Sequence, residues 1–443
     1  MEPSRDPDPQ RILGLLAVRG IVSAQELQEE LGKSQPTISR LLAELSGQVL
    51  TLGRARATRY GLGKSIRGLP AQQPIWWTGE DGTPVRIGTL SLLAGDLLHT
   101  ECGAFTTITR GALPWFLSPL QAQGFLGRLL AQRLAGAGVD SQPERWNLET
   151  VLFAALHLHD AAGAITLGEP WSATPATAVH APLPTAPQRL PAALDALAAD
   201  VARTLPAGSS AGGEQPKFLA LLDDGRHVLV KFTPPRGTPF GERWSDLLHA
   251  EALASQVLAE HGVEVAATRV VESAQRSYLL SARFDRIGQR GRRHVVPVGA
   301  AHQAFVADAY IHWAASCEAL ARQRRLPALD TRRAEALLHF GRLIGNTDMH
   351  SGNLGLFVAP EDLAKGRFTL APVYDMLPMR WRPDAALGGA ADYAPFEPDL
   401  RSAGSAAAGP ATVFWERLAV NGPVSQALRQ VAAQMARRLS GGG

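Results

Sequence analysis

The segment Gly345–Asn353 combines an aspartate and an asparagine at a spacing that suits phosphoryl transfer. Asp348 and Asn353 are five residues apart among small residues, and Asp375 follows 22 residues after Asn353 in the sequence Val-Tyr-Asp. One carboxylate can accept or orient the proton of a hydroxyl, while an amide oxygen and a second carboxylate hold magnesium. Because Asn, Asp, Ser and Gly are also ordinary turn residues, this spacing alone does not exclude a polar surface turn.

A glycine-rich segment followed by a lysine lies upstream and could bind phosphates. The small residues of segment 209–217 would let backbone N–H groups approach phosphates, although the segment matches neither common phosphate-loop pattern. A hairpin is predicted next, and its second strand, at 227–232, carries Lys231. A helix is predicted over 244–260. We expect Glu251 on this helix to pair with Lys231, and Glu242 and Glu260 are weaker alternatives.

Several predicted elements would position these groups. The apolar strand at 277–280 runs into Ala282, Arg283 and Phe284, a position that suits a hinge between two lobes. Ala300–Arg322 and Thr331–Ile344 have long amphipathic patterns, and Asp330 is well placed to cap the second helix. Short strands are predicted at 354–358 and 368–372, and the second of them leads to Asp375.

Residues 10–63 have the pattern of a winged helix-turn-helix. A capping box at Ser23–Glu26 opens one helix, and Gly32 suits its C-terminus. Between residues 33 and 67 there are seven basic residues against Glu44 alone, which favours contact with DNA phosphates. The alternative is a winged helix used only for protein contact or dimerisation. The expected DNA-binding residues, on the second helix and the wing, are Gln35, Thr37, Ser39, Arg40, Arg54 and Arg56.

The composition is that of an ordinary globular protein. The chain has 443 residues, 45% of them hydrophobic, a net charge of +3, and only two cysteines. This length suggests two to four domains, and the few cysteines exclude a disulfide framework. The polar, proline-rich N-terminus is not a signal peptide, and no long apolar run predicts a transmembrane helix, so we expect a cytoplasmic location and no membrane partner.

The order of motifs resembles the HipA family of bacterial serine/threonine kinases, the toxins of type II toxin–antitoxin pairs. The chain carries S-x-G-x-x-Q-P-K, V-K-F, R-F-D-R, N-x-D-x-H-x-x-N and Y-D-x-x-P in this order. Residues 114–127 and 157–165 also resemble the N-terminal subdomain of that family. Because the chain has its own predicted DNA-binding domain, it looks like the YjjJ-like branch.

The resemblance implies a role for each matching residue. Asp348 would be the catalytic residue, Lys231 would bind ATP phosphates, and Asn353 and Asp375 would bind Mg²⁺. Ser210, with Ser209 beside it, matches the family's autophosphorylated serine, whose modification ejects the loop and switches the kinase off. The other residues of the nucleotide site would be Ala211, Gly212, Gly213, Glu214, Gln215, Lys217, Ala282, Arg283, Phe284, His350 and Tyr374.

Three features depart from the family's pattern. Ala282 stands where the family often has glutamate, which removes a polar contact to the nucleotide. Glu214 adds a negative charge near the expected phosphates, and both changes could weaken ATP binding. Since the winged helix is fused to the chain, the need for a separate antitoxin stays open.

These observations predict an α+β multidomain protein. An N-terminal winged helix-turn-helix would precede a HipA-like, protein-kinase-like two-lobed fold with a mainly helical C-lobe. The predicted parts are the DNA-binding domain 1–65, the HipA N-terminal subdomain 66–170, a Pro/Ala-rich connection 171–205, the rest of the N-lobe with its phosphate loop 206–285, and the helical C-lobe with the catalytic loop 286–443.

The predicted activity is that of an ATP- and Mg²⁺-dependent serine/threonine protein kinase with autophosphorylation control. The resemblance implies a protein substrate such as a component of translation. One alternative is a DNA-binding transcriptional regulator whose kinase fold senses nucleotide with little or no turnover. A small-molecule kinase is a third interpretation, because antibiotic and sugar kinases use the same arrangement of Asp, Asn and Asp.

Overall fold

The N-terminal region contains three helices and a small antiparallel sheet. The computed structural model describes residues 7–103, 105–158, 160–171, 182–204, 215–384 and 389–441. The three short strands pair in the order β1-β3-β2, and the helices cover one apolar core with them. The elements are α1 (Pro7–Arg19), β1 (Ile21–Val22), α2 (Ala24–Leu31), α3 (Gln35–Glu44), β2 (Val49–Leu52) and β3 (Arg59–Leu62).

The predicted helix signals of this region are present. Ser23 accepts a hydrogen bond from the Glu26 amide at 3.2 Å, and the Glu26 carboxylate accepts from the Ser23 amide at 2.6 Å. Gly32 ends α2 in the left-handed conformation, with φ of 64°. The capping box and the glycine terminus predicted from the sequence are therefore confirmed.

The middle region is built on a five-stranded antiparallel sheet in the order β7-β6-β5-β4-β8. Its sheet also supports the N-terminal region, because Leu52 packs with Leu93 and Leu97 in one buried cluster. Polar contacts add to this interface, since Lys64 lies 3.2 Å from both Asp96 and Glu149. The elements are β4 (Gln72–Thr78), β5 (Pro84–Leu93), β6 (Leu97–Cys102), β7 (Phe105–Arg110), α4 (Gly124–Arg133), α5 (Leu148–Leu156) and β8 (Ile165–Leu167).

A four-stranded antiparallel sheet in the order β11-β12-β10-β9 carries the next part of the chain. One face of β10, with Val228, Val230 and Phe232, packs on helix α6, so the intervening Lys231 points to the opposite face, where α7 lies. The elements are α6 (Leu190–Thr204), β9 (Lys217–Leu221), β10 (His227–Phe232), α7 (Pro239–Glu260), β11 (Thr268–Glu272) and β12 (Ser277–Ala282).

The segment 171–205 is more than the Pro/Ala-rich connection that its composition suggests. Its described part includes α6, which buries Leu190, Leu194, Leu197 and Val201 against the four-stranded sheet. These residues recur at helical spacing within the alanine-rich stretch, and this apolar stripe outweighs the prolines that precede it.

The C-terminal part is mainly helical, with short antiparallel pairs β13-β14 and β18-β19 and a three-stranded sheet β15-β16-β17. None of its helices, nor any other helix in the described ranges, is both long and apolar enough to span a membrane. The elements are β13 (Arg286–Ile287), β14 (Gly291–Arg292), β15 (Val295–Pro297), α8 (Val298–Phe305), α9 (Trp313–Arg322), α10 (Ala328–Leu343), β16 (Gly355–Phe357), β17 (Thr369–Leu370), β18 (Pro383–Asp384), β19 (Gly389–Ala390), α11 (Leu400–Ala403), α12 (Ala408–Ala419) and α13 (Gln426–Ser440).

Two helix predictions in this part were wrong in detail. The pattern Ala300–Arg322 forms two helices, because His312 caps α9 by accepting a hydrogen bond from the Ala315 amide at 3.1 Å. Asp330 does not cap α10, which begins before it. Its buried carboxylate instead accepts from the Leu370 amide at 3.0 Å and so ties β17 to the helix.

Candidate active site

Lys231 is the centre of a buried ion cluster between the sheet and the C-lobe. Its Nζ atom lies 2.7 Å and 2.8 Å from the two carboxylate oxygens of Glu251 on α7. Only 3% of Lys231 and 2% of Glu251 are exposed. The pairing of Lys231 with Glu251, predicted in preference to Glu242 and Glu260, is confirmed.

Asp375 is the second carboxylate in contact with Lys231. Burial opposes its ionisation, but the cations of Lys231 and Lys217 hold the pKa of Asp375 at about 2. The same two carboxylates raise the pKa of Lys231, although burial alone would lower it. All ordinary pH values therefore leave Lys231 and Asp375 charged.

The backbone of Asp375 is held in an uncommon conformation. Its φ of 57° lies in the left-handed region, which costs a non-glycine residue about 1 kcal/mol or more. The preceding Val373 is fixed by hydrogen bonds to Glu264 and Ala266, each 2.9 Å long. The strand-like segment thus turns sharply after Tyr374 and directs Asp375 towards Lys231.

Asn346 joins the predicted catalytic loop to Asp375. Its side-chain oxygen accepts from the Asp348 amide at 3.0 Å, and its side-chain nitrogen donates to the Asp375 carbonyl at 3.2 Å. Asn353 donates from its side chain to the Asp348 carbonyl at 2.7 Å. These bonds bring Asp348, Asn353 and Asp375 together in one network. The sequence did not predict that Asn346 links the loop to Asp375, although this buried residue lies only two positions before Asp348.

The remainder of the loop is supported from two sides. Trp313 donates from its indole nitrogen to the His350 carbonyl at 2.8 Å, and Tyr374 donates from its hydroxyl to the Gly352 carbonyl at 2.8 Å. His350 itself accepts from the Gly352 amide at 3.0 Å through Nδ1. These bonds hold a compact turn between Asp348 and Asn353.

The predicted hinge lies at the end of β12. Ala282 and Arg283 use their amides in bonds of 2.8 Å and 3.0 Å to the carbonyls of Ala267 and His227. The Phe284 ring stacks on Tyr374, with ring centres 5.7 Å apart, which places the hinge against the segment that bears Asp375.

The Arg283 side chain points towards the middle region. It forms ion pairs with Asp160 at 2.8 Å and Asp285 at 3.0 Å. This side chain therefore joins the middle region to the end of β12 and does not point into the predicted nucleotide site.

The predicted phosphate loop lies mostly outside the described residues. Ser209, Ser210, Ala211, Gly212, Gly213 and Glu214 all fall there. Gln215 is described and buried, and its side-chain nitrogen has no partner in the described parts of the chain. Lys217 opens β9, directly opposite Lys231 on β10. Lys217 thus places a second cation near the ion cluster, where it helps to lower the pKa of Asp375.

The residues present suit a nucleotide with Mg²⁺. Asp375 and Asn353 offer a carboxylate and an amide oxygen, which are hard donors of the kind that Mg²⁺ prefers. Lys231 and Lys217 supply positive charge, and the Gln215 amide is a hydrogen-bond donor that a phosphate could engage.

The predicted DNA-binding residues lie on the open surface of α3 and on the turn between β2 and β3. Among them, Gln35, Ser39, Arg40, Arg54 and Arg56 are exposed. Thr37 is half-buried, and its hydroxyl lies 3.0 Å from the Ser34 hydroxyl.

The fold and site define a protein-kinase-like arrangement, with a lysine on a sheet, a glutamate on the adjacent helix and an Asp–Asn loop in a helical lobe. Family models agree: residues 209–439 match the HipA-like C-terminal domain, and residues 69–174 match the middle domain of YjjJ-like toxins. The chain belongs to the HipA-like family, in its YjjJ-like branch.

One relative supports this assignment, and one solved structure has a similar fold. The chain is 35% identical over 439 residues to the protein named Toxin YjjJ of Escherichia coli strain K12, and the match covers 96% of each chain. The fold is also similar to HipA of Shewanella oneidensis MR-1, solved in complex with HipB and its operator DNA. That similarity has a TM-score of 0.50 at 15% identity and covers 83% of this chain and 95% of HipA.

Proposed function

We propose that this protein is an ATP- and Mg²⁺-dependent serine/threonine protein kinase. The main support is the buried Lys231, placed between Glu251 and Asp375, with Asn346 linking Asp375 to Asp348. This is the set of groups that phosphoryl transfer uses, and here they lie where the four-stranded sheet and α7 meet the helical C-lobe.

Each residue would act by position and charge rather than by covalent chemistry. Asp348 accepts or orients the proton of the acceptor hydroxyl. Lys231 neutralises phosphate charge, and Glu251 orients Lys231. Asn353 and Asp375 would hold Mg²⁺, which would offset the negative charge of the phosphates. The amide of Gln215 and the ammonium of Lys217 face the same phosphates, and Tyr374 and the hinge Ala282–Phe284 bound the nucleotide site.

The decisive experiment compares the wild-type protein with Asp348→Asn. Both are incubated with γ-labelled ATP and a cell lysate, and phosphorylated sites are mapped by mass spectrometry. Loss of the carboxylate should lower phosphoryl transfer about a hundredfold, a barrier increase of about 3 kcal/mol, while ATP binding stays nearly intact. Equal rates in the two proteins would rule out the kinase proposal and favour a nucleotide sensor.

The same experiment tests autophosphorylation control. A phosphate on Ser210, or on Ser209, would add a charge of about −1.5 to −2 beside Glu214 and the bound triphosphate. Repulsion should then lower ATP affinity.

We expect phosphate on these serines in the active protein and none in Asp348→Asn. Equal phosphate in the two proteins would contradict self-inactivation. The mapped lysate peptides would also distinguish a protein substrate from a small molecule.

We further propose that residues 7–62 are a winged helix-turn-helix that binds DNA. The support is the observed order of α1, α2, α3 and the β1-β3-β2 sheet, with exposed Arg40, Arg54 and Arg56 on two neighbouring elements. The HipA relative was solved with HipB and operator DNA. In this protein, α3 and the β2–β3 turn, which carry Arg40, Arg54 and Arg56, belong to the same chain as the kinase-like domains. We therefore propose that this chain contacts DNA directly.

The DNA proposal is tested by salt-dependent binding. Affinity should fall with salt at a log–log slope of about −0.9 per phosphate contacted. Arg54→Ala and Arg56→Ala should each lower affinity, and each should reduce the magnitude of the log–log slope by about 0.9, the amount expected for one lost phosphate contact. Arg40→Ala should also change the sequence preference if the Arg40 side chain reaches a base edge. Arg145→Ala, an exposed arginine of the middle region, is the matched control. Absence of binding at low salt would instead favour a role in protein contact.

A further inference from the structure

Asp246 joins the helix that carries Glu251 to the C-lobe. It lies on α7, five residues before Glu251, and only 4% of it is exposed. Its carboxylate accepts from the Ser425 amide at 2.7 Å, from the Ser425 hydroxyl at 2.6 Å and from the Tyr393 hydroxyl at 2.7 Å. A buried carboxylate with three donors is held firmly, because moving it would leave the charge unpaired.

Further contacts join α7 to the segment that follows Asp375. Arg243 donates to the carbonyls of Trp381 at 3.3 Å and Ala391 at 2.8 Å. Its guanidinium also lies over the Tyr393 ring, 3.7 Å from the ring centre. On the apolar side, Trp244 and Leu247 of α7 form one buried cluster with Leu377 and the partly buried Met379.

Both carboxylate partners of Lys231 therefore stand on one packed unit. Glu251 belongs to α7, and Asp375 immediately precedes the segment 376–384 that α7 contacts. Fixing the two elements to each other fixes the separation of the two carboxylates, and with it the position of Lys231 between them.

We propose that Asp246 is a positioning residue for phosphoryl transfer, acting through Glu251 and Lys231. This proposal rests on the proposed kinase function.

The first test is a double-mutant cycle. Asp246→Ala should lower kcat about tenfold or more, because small displacements of catalytic groups have large effects on rate. If Asp246 acts through Glu251, Asp246→Ala should have almost no further effect in a Glu251→Gln background. Multiplicative loss in the double variant would contradict the proposal.

A matched control comes from the other side of the sheet. Asp195 on α6 also accepts from a tyrosine and a serine, Tyr278 at 2.5 Å and Ser273 at 2.8 Å. It has no contact with α7 among the hydrogen bonds of the described residues. Asp195→Ala should leave kcat within about twofold of wild type. A loss equal to that of Asp246→Ala would show that removing any hydrogen-bonded helix carboxylate has this effect and would overturn the proposal.

The second test does not depend on activity. Hydrogen exchange of the nucleotide-free protein should become at least about tenfold faster in α7 and segment 376–384 of Asp246→Ala, but not in α1–α3. Asp246→Asn, which keeps the oxygen acceptor, should restore part of the protection. Unchanged exchange, or acceleration throughout the chain, would overturn the proposal. If the wild-type protein transfers no phosphate, the kinase proposal fails while this measurement still decides whether Asp246 holds the two elements together.

Discussion

The protein contains two ion clusters that differ in how their carboxylates are paired. In the Lys231 cluster, the carboxylates of Glu251 and Asp375 share one lysine, Lys231. The junction cluster joins the middle region to the end of β12, and there Asp160 and Asp285 each pair with both Arg283 and Arg286. A third arginine, the buried Arg292, also helps to lower the pKa of Asp160.

The hydrogen bonds of the junction cluster explain its structural role. Asp285 also accepts from the Gly163 amide at 2.8 Å, and Arg286 donates to the Ala161 carbonyl at 2.6 Å. Each charge has at least one partner from the opposite region, so the cluster holds two parts of the chain together. If one member of such a cluster is removed, a buried charge loses its partner and faces charges of the same sign.

The Lys231 cluster leaves one carboxylate that a further cation could reach. Asp375 shares Lys231 with Glu251, and its side chain is 26% exposed, whereas Lys231 and Glu251 are almost fully buried. A carboxylate in this position could bind a divalent ion, and Asn353 would supply a second oxygen donor. The comparison indicates that each junction carboxylate is paired with two arginines, whereas Asp375 keeps an accessible oxygen.

The largest predicted effect comes from the junction cluster. Asp285→Asn leaves Arg283 and Arg286 with Asp160 as the remaining carboxylate of the cluster. We expect the free energy of unfolding to fall by about 4 kcal/mol, the typical result of breaking a buried ion network. Chemical denaturation at pH 7 measures this loss, and a change below about 1 kcal/mol would show that the junction does not depend on charge balance.

Asp375→Asn should affect activity more than stability, the reverse of Asp285→Asn. The variant loses the contact of Asp375 with Lys231 but also relieves its repulsion of Glu251, and the Lys231–Glu251 pair survives. The free energy of unfolding should therefore fall less than in Asp285→Asn. Phosphoryl transfer should fall about a hundredfold, equivalent to about 3 kcal/mol of barrier, with weaker binding of Mg²⁺ and ATP. Titration of the rate with Mg²⁺ tests this, and the distinction between the clusters is wrong if Asp375→Asn destabilises the fold more than Asp285→Asn.

The sequence predicted those parts of the site that depend on local spacing. Lys231 in a hairpin strand, Glu251 on the next helix and the Asp348–Asn353 loop each follow from a motif with a fixed order. The structure bears out the pairing of Lys231 with Glu251, whereas the nucleotide, metal and DNA contacts remain predictions.

Other features depend on contacts between distant segments. Asn346 was overlooked because its partner Asp375 is 29 residues away, and Asp246 because its partners lie beyond residue 390. Asp160 was missed for the same reason, since its arginine partners are more than 120 residues distant. The prediction for Asp330 was wrong because it used only local sequence preference. This aspartate lies in the first turn of α10, but its carboxylate accepts a hydrogen bond from β17 instead of capping the helix.

The smallest predicted effect is a loss of stability in mild acid, and it belongs to the junction. His294 is 2% exposed, and its ring lies 2.8 Å from the Phe116 carbonyl and 3.2 Å from the Ala164 amide. Burial lowers the pKa of His294 to about 4, although the Phe116 carbonyl and Asp285 favour the charged form. The folded protein thus keeps a neutral ring where the unfolded chain binds a proton.

Because the folded pKa of His294 lies below its unfolded value of about 6.5, its contribution to stability is present above pH 6.5 and is lost as the pH falls towards 4. Between pH 7 and pH 5 the loss should be about 2 kcal/mol. Burial also lowers the pKa of His99, His227 and His249, so the wild-type profile alone is not sufficient. The contribution of His294 is isolated by comparing denaturation profiles of wild type and His294→Gln, because glutamine retains a hydrogen-bond donor and an acceptor but does not titrate. The variant should lose about 2 kcal/mol less over this range, whereas parallel profiles would show that His294 does not make the junction sensitive to acid.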